Sequence, residues 1–162
     1  MKKDALVTAA LAVAVAATTA GGALAFAPKA KTVAFLGAYA GAASVKVTGN
    51  VAAISASGAG KGTLVGTSKI SGKGVGDTSV QPCATWKGMG AIVGTGGKIN
   101  LVVSAANACP NEDQSQAAVS GTATVKGGAG KYAKAKGTLK FTGNYNKTKG
   151  TFTVKFKGAI TL

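Results

Sequence analysis

The chain has 162 residues, 46% hydrophobic and only 14% charged, with 25 glycines, three prolines, two cysteines and no histidine. All 19 basic residues are lysine, against four acidic ones, for a formal net charge of +15. These figures exclude a Ser-His-Asp hydrolase site, argue against a Cys/His zinc centre, and disfavour base readout by arginine forks.

Lys2 and Lys3 precede an uncharged run of small and apolar residues from Ala5 to Ala27. This is the layout of a secretory signal peptide, of bacterial type, with Ala23-Leu24-Ala25 as its cleavage pattern. The run is long enough to span a bilayer, but it is mostly Ala, Thr and Gly, so removal is favoured over a retained anchor. The chain is therefore expected to divide into a signal peptide, residues 1–25, and one secreted domain, residues 26–162. Removing 25 of 162 residues leaves 137, enough for one core. No later segment is apolar enough to form a membrane span.

Taken along the chain, apolar residues recur with period two almost everywhere, which predicts strands. Val45, Val47 and Val51 are expected on one face against Lys46 and Thr48. Turn signals follow at Gly58-Ala59-Gly60 and at Gly74-Val75-Gly76-Asp77, with Leu64, Ile70 and Trp86 anchoring weaker strands. After a further turn signal at Gly94-Thr95-Gly96-Gly97, Ile99, Leu101 and Val103 oppose Lys98, Asn100 and Val102. Val119, Gly121, Ala123 and Val125 oppose Ser120, Thr122 and Thr124. Leu139 and Phe141 begin a final hairpin, closed through the turn formers of residues 144–150 onto Phe152, Val154, Phe156 and Ile160. No amphipathic helix is evident after the signal segment. The expectation is an all-β fold, a single antiparallel barrel of about eight strands, with a β-sandwich as the alternative. Glycines in the inward phase, such as Gly121 and Gly158, favour the barrel because they permit sharp bending.

Cys83 and Cys109 form one pair in an exported chain, which predicts a disulfide. The closed loop of about 27 residues would constrain the unfolded chain by roughly 3–4 kcal/mol.

Gly127-Gly128-Ala129-Gly130-Lys131 has the composition of a phosphate-binding loop but neither its spacing nor a following helix. The structural reading is a turn built on Gly127, Gly128, Gly130 and Gly137, with a kink over Tyr132 to Lys136. The run Gly127 to Gly137, GGAGKYAKAKG, resembles the Gly-Gly-x-Gly-(Lys/Arg/x)-(Phe/Tyr)-x-x-Ala-x-Gly element of allene oxide cyclase and dirigent barrels, and of small secreted bacterial proteins that carry it before a Thr-rich hairpin. The resemblance covers roughly Val119 to Leu162. It implies an eight-stranded antiparallel barrel with a central apolar cavity. Dirigent-type sites lean on Arg, which this chain lacks, so the resemblance carries fold further than activity.

Catalytic candidates are absent. Glu112 and Asp113 are neighbours in a loop and point to opposite faces of extended chain, and Asp77 reads as a turn residue. No metal ligand set and no cofactor motif is present. Trp86 and Tyr132 are the candidates for contact with a ligand in the barrel. Nine lysines fall between Lys126 and Lys157, and no acidic residue follows Asp113. Lys126, Lys140, Lys155 and Lys157 are expected to make a basic outer face, either protecting strand edges or adhering to a polyanion. The first reading of function is a secreted non-catalytic β-barrel binding a small apolar ligand or an anionic envelope polymer, with no specific nucleic acid and with homo-oligomers left open. The alternatives are a cyclase- or isomerase-like barrel and a structural extracellular protein.

Overall fold

The computed structural model describes residues 30–162. The expected signal segment and its cleavage site lie outside them. Eight strands follow one another: β1 (Thr32–Thr48), β2 (Val51–Gly62), β3 (Gly66–Asp77), β4 (Ala84–Gly94), β5 (Gly97–Pro110), β6 (Gln116–Gly130), β7 (Lys136–Asn146) and β8 (Thr151–Thr161). Each pairs antiparallel with the next, and β8 returns to pair with β1, from Thr32↔Thr161 to Ala42↔Thr151, so the sheet closes as a barrel in simple sequence order. The barrel expectation holds, and closure leaves no unpaired edge for another chain to extend.

Period-two alternation decides which side chains fill the interior. On β5–β8 the inward positions are bulky: Ile99, Leu101, Val125, Leu139, Phe141, Val154, Phe156 and Ile160 are all buried. On β2–β4 the inward phase is dominated by glycine, including Gly58 and Gly60, Gly72 and Gly74, and Gly88 and Gly90. The interior is therefore lopsided, with side chains of one wall reaching toward the bare backbone of the other. The turn signals at Gly58-Ala59-Gly60 and Gly74-Val75-Gly76-Asp77 are corrected by this arrangement: both lie within β2 and β3. Gly58 shows the reason, since a Cβ there would stand 2.3 Å from the Ala40 carbonyl oxygen on β1. The backbones approach too closely for a side chain. Val51 is likewise separated from Val45 and Val47, because the chain turns at residues 49–50 and Val51 opens β2 facing outward. Leu64 lies in the β2–β3 turn rather than in a strand.

The two ends of the barrel differ. At one end the turns at residues 63–65, 95–96 and 131–135 fold over the opening, and Val65, Tyr132 and Ala135 are fully buried beneath them. At the other end lie the links at residues 49–50, 78–83, 111–115 and 147–150. There Cys83 and Cys109 are joined by the expected disulfide, with Cα atoms 4.2 Å apart. The bond lies one step beyond the Ala84↔Ala108 pair and so extends the β4–β5 ladder covalently.

Candidate functional site

The closed end is built by the glycine-rich stretch singled out in the sequence. The expected turn is displaced: Gly127, Gly128 and Gly130 lie at the C-terminal end of strand β6 and Gly137 at the start of β7, and the turn itself falls at residues 131–134 between them. Gly127 and Gly130 have φ of 71° and 63°, in the left-handed region that L side chains disfavour. The bend lets Lys131 N–H donate to the Gly96 carbonyl and Gly127 N–H to the Ala135 carbonyl. Tyr132 then points inward, and its hydroxyl lies 2.5 Å from the Leu64 carbonyl oxygen and 3.1 Å from that of Thr95. The stretch is a cap that ties three turns together. No helix follows it, and the Gly127 N–H serves the barrel's own backbone through the Ala135 carbonyl.

Below the cap an aromatic column fills the barrel. The Tyr39 and Phe156 rings meet edge-on at 6.0 Å, while Phe156 and Phe141, and Phe141 and Trp86, meet at a tilt with centroids 5.7 Å apart in each pair. Tyr39 is 3% exposed, and its hydroxyl lies 3.0 Å from the Ser68 hydroxyl, which donates onward to the Gly66 carbonyl. Burial pushes the Tyr39 phenol above its ordinary range, against the opposing effect of the Ser68 hydrogen bond.

Past the column the interior opens into a cavity of about 200 Å³. Val45, Ile54, Ile70, Trp86, Val103, Val119, Tyr145, Phe152 and Val154 line it, over a floor of Phe141 and Phe156. Val45 and Val47 point inward yet are 38% and 56% exposed, because they stand at the open rim. No carboxylate lines the cavity; its charged neighbour is Lys73, from an outward position of β3. Trp86 thus lies where a ligand would contact it. Tyr132 does not: it is fully buried in the cap, at the opposite end, and its hydroxyl is engaged by two backbone carbonyls. Period-two patterning could not separate them, because it gives the facing of a residue and not its height along the barrel. Val45, Tyr145 and Phe152 went unrecognised as cavity residues for the same reason.

The three side-chain carboxylates of the described residues all lie at the open end. Asp77 closes β3, and its oxygen accepts from Ser79 N–H at 2.9 Å and from the Ser79 hydroxyl at 2.5 Å. Asp113, in the β5–β6 link, accepts from Ser115 N–H at 2.9 Å. The Ser79 and Ser115 hydrogen bonds hold both carboxyls below the usual range. Both act as turn formers, and Glu112 is an exposed loop residue.

Lys126, Lys140, Lys155 and Lys157 are all exposed on the outer wall. Lys140 stands directly opposite Lys157, and Lys126 directly opposite Lys136. Like charges placed opposite each other on one face destabilise a sheet. Among the described residues, no group of three His, Cys, Asp or Glu side chains could hold a metal ion. No helix there is long and apolar enough to cross a membrane, and the disulfide is compatible with an extracellular location. No family model, curated protein or solved structure matches the chain.

Proposed function

We propose that this protein is a secreted barrel that binds a small apolar molecule, as a non-catalytic carrier or sequestering protein. The observation that carries the reading is the apolar cavity of about 200 Å³, closed at one end by the Tyr132 cap and open at the rim of Val45 and Val47. Apolar lining favours apolar ligands because they leave no polar group unpaired on entry. A cavity of roughly 150 Å³ accommodates benzene, so the volume here suits a ligand of roughly six to ten non-hydrogen atoms, one or two small rings. The allene oxide cyclase and dirigent resemblance of Gly127 to Gly137 is consistent with such a cavity. The absence of carboxylates from its lining supports binding over a cyclase-like reaction.

The test uses toluene as probe and the indole N–H of Trp86, the protein's single tryptophan, as reporter in NMR. Saturable shifts of Trp86 that do not change between low and high salt are expected. Ala108→Leu, which fills the cavity from β5, should abolish them. Linear, non-saturating shifts, or saturation that survives Ala108→Leu, would refute the proposal.

A further inference from the structure

We infer that the outer wall over β7, β8, β1 and β2 is a docking groove for a flexible linear polyanion bearing repeated phosphate groups. This inference is independent of the cavity reading. The groove, of about 600 Å³, has Leu36, Gly37 and Ala38 of β1 as its floor. Lys140, Lys155 and Lys157 stand on one side of it and Lys61 on the other. Strand pairing places them in register. Lys155, Ala38 and Lys61 lie in one cross-strand row, and Lys157 lies beside Leu36 in the next. Two strand spacings separate Lys155 from Lys61, about 10 Å, so their long side chains converge over Ala38 on a group seated between them. The floor strand carries no charge from Thr32 to Val45, so nothing in it repels or neutralises a bound anion.

Two features point to a ligand rather than to generic solubility. The first is the Lys140↔Lys157 pair, with a second Lys–Lys pair at Lys126↔Lys136. A solubilising surface intersperses signs and gains cross-strand attraction, whereas these positions accept repulsion. An anion bound across the pair reverses its sign. The second is segregation along the barrel: Asp77, Glu112 and Asp113 lie at the far, open end. Lys46, Lys147 and Lys149 stand near that same end and offset them, so it is the capped half, with the groove, that carries positive charge alone, which orients the molecule as well as attracting it.

The chemistry of the surface favours a flexible chain over a bilayer or a duplex. The lysines wrap a convex wall spanning β6 to β2, which a flat membrane touches along a narrow strip. The large exposed apolar residue on this flank is Leu36, and no aromatic side chain is exposed there to enter an interface. Duplex reading would call on a helix or ribbon entering a groove, and this wall is a smooth sheet. Docked in this way, the protein holds its cavity mouth free of the polymer, because the groove lies toward the capped end.

The experiment measures binding of labelled inorganic polyphosphate by the full barrel across a salt series. Parallel arms use duplex DNA and vesicles of phosphatidylglycerol and phosphatidylcholine. Wild type should bind polyphosphate at low salt, with affinity falling log-linearly as salt rises. The triple variant Lys140→Gln, Lys155→Gln, Lys157→Gln should bind at least about tenfold more weakly with a shallower salt slope, because three phosphate contacts are lost. The charge-matched control Lys69→Gln, Lys73→Gln, Lys87→Gln, on the wall of β3 and β4, should change affinity less than about threefold. Lys140→Glu, which converts the like-charged pair into an attractive one, should weaken binding without loss of thermal stability, which separates docking from folding. Equal weakening in both triple variants would overturn the inference. So would tighter binding to vesicles or duplex DNA than to polyphosphate, or no binding by wild type at low salt.

Discussion

The Tyr132 hydroxyl reaches the carbonyl oxygen of Leu64, 68 positions earlier in the chain, and thereby joins the β6–β7 turn to the β2–β3 turn across the barrel end. A second contact, to the Thr95 carbonyl, brings in the β4–β5 turn. The Tyr132 side chain is fully buried, whereas both hydrogen bonds are only part-buried and Thr95 itself is exposed, so water reaches these carbonyls more readily than it reaches the ring. Tyr132→Phe keeps the ring and removes the donor, so the cost is that of a net hydrogen bond between part-buried groups, about 0.5–1.5 kcal/mol. Urea denaturation should show the midpoint falling with the slope unchanged. A midpoint equal to wild type would mean that the hydroxyl contributes nothing to closure.

How much of this was legible follows from what alternation encodes. The facing of Phe141, Phe152, Phe156 and Ile160 was readable because strand geometry admits two faces only. The disulfide was readable because a single pair of cysteines has a single partner choice. Gly58 and Gly74 read as turns although they lie within strands, because glycine serves two purposes in this chain. It bends the chain at turns, and it also removes Cβ atoms where β1 and β2, or β3 and β4, press together. Composition alone does not distinguish these uses. Tyr132 and Trp86 read alike as ligand candidates although the barrel's length separates them. Height along a barrel depends on strand stagger, which emerges only when β8 closes onto β1.

Gly130 tests the cap from its backbone. With φ at 63° and a Cβ position 2.3 Å from the Gly96 carbonyl oxygen, Gly130→Val is strained both by conformation and by contact. Backbone strain of this kind costs about 1–3 kcal/mol. Gly49, with φ at 58° but nothing within 4 Å of its Cβ position, supplies the control. Gly49→Asn should be nearly neutral, since Asn tolerates the left-handed region. Thermal melts of the two variants should therefore differ clearly. Unchanged stability in Gly130→Val, accompanied by selective loss of polyphosphate binding, would instead mark the stretch as a phosphate cradle.

Tyr39 gives a pH dependence with a definite sign. Its folded-state pKa is raised by burial from the ordinary 10.0, so the folded protein retains the phenolic proton at pH values where the unfolded chain releases it. The contribution to stability is fully present below pH 10 and is lost as pH rises through the folded value. Wild type should lose stability between neutral pH and strong alkali more steeply than Tyr39→Phe, in which the phenol is absent. Comparing the two chains cancels the shared titration of the lysines. Parallel alkaline profiles would show that burial does not perturb the phenol.

The disulfide should matter for the cavity as well as for the fold. Cys83 and Cys109 join β4 to β5 at the open end, and Trp86 lies three residues inside Cys83 on the cavity wall. At the other end the cap holds the strands together by hydrogen bonds and buried side chains, so the consequences of reduction should concentrate at the mouth. With a sequence separation of 26, the bond constrains the unfolded chain by roughly 3–4 kcal/mol on the chain-entropy account. The double variant Cys83→Ser, Cys109→Ser should lose about that much in urea denaturation. Hydrogen exchange should distinguish the two ends, with the variant exchanging faster at β4 residues near Trp86 while the Gly127 and Lys131 amides in the cap stay protected. Toluene binding should weaken in step with the loosened mouth. Uniform acceleration of exchange from mouth to cap would mean that the barrel opens as one unit, and that the disulfide stabilises the whole fold without shaping its rim.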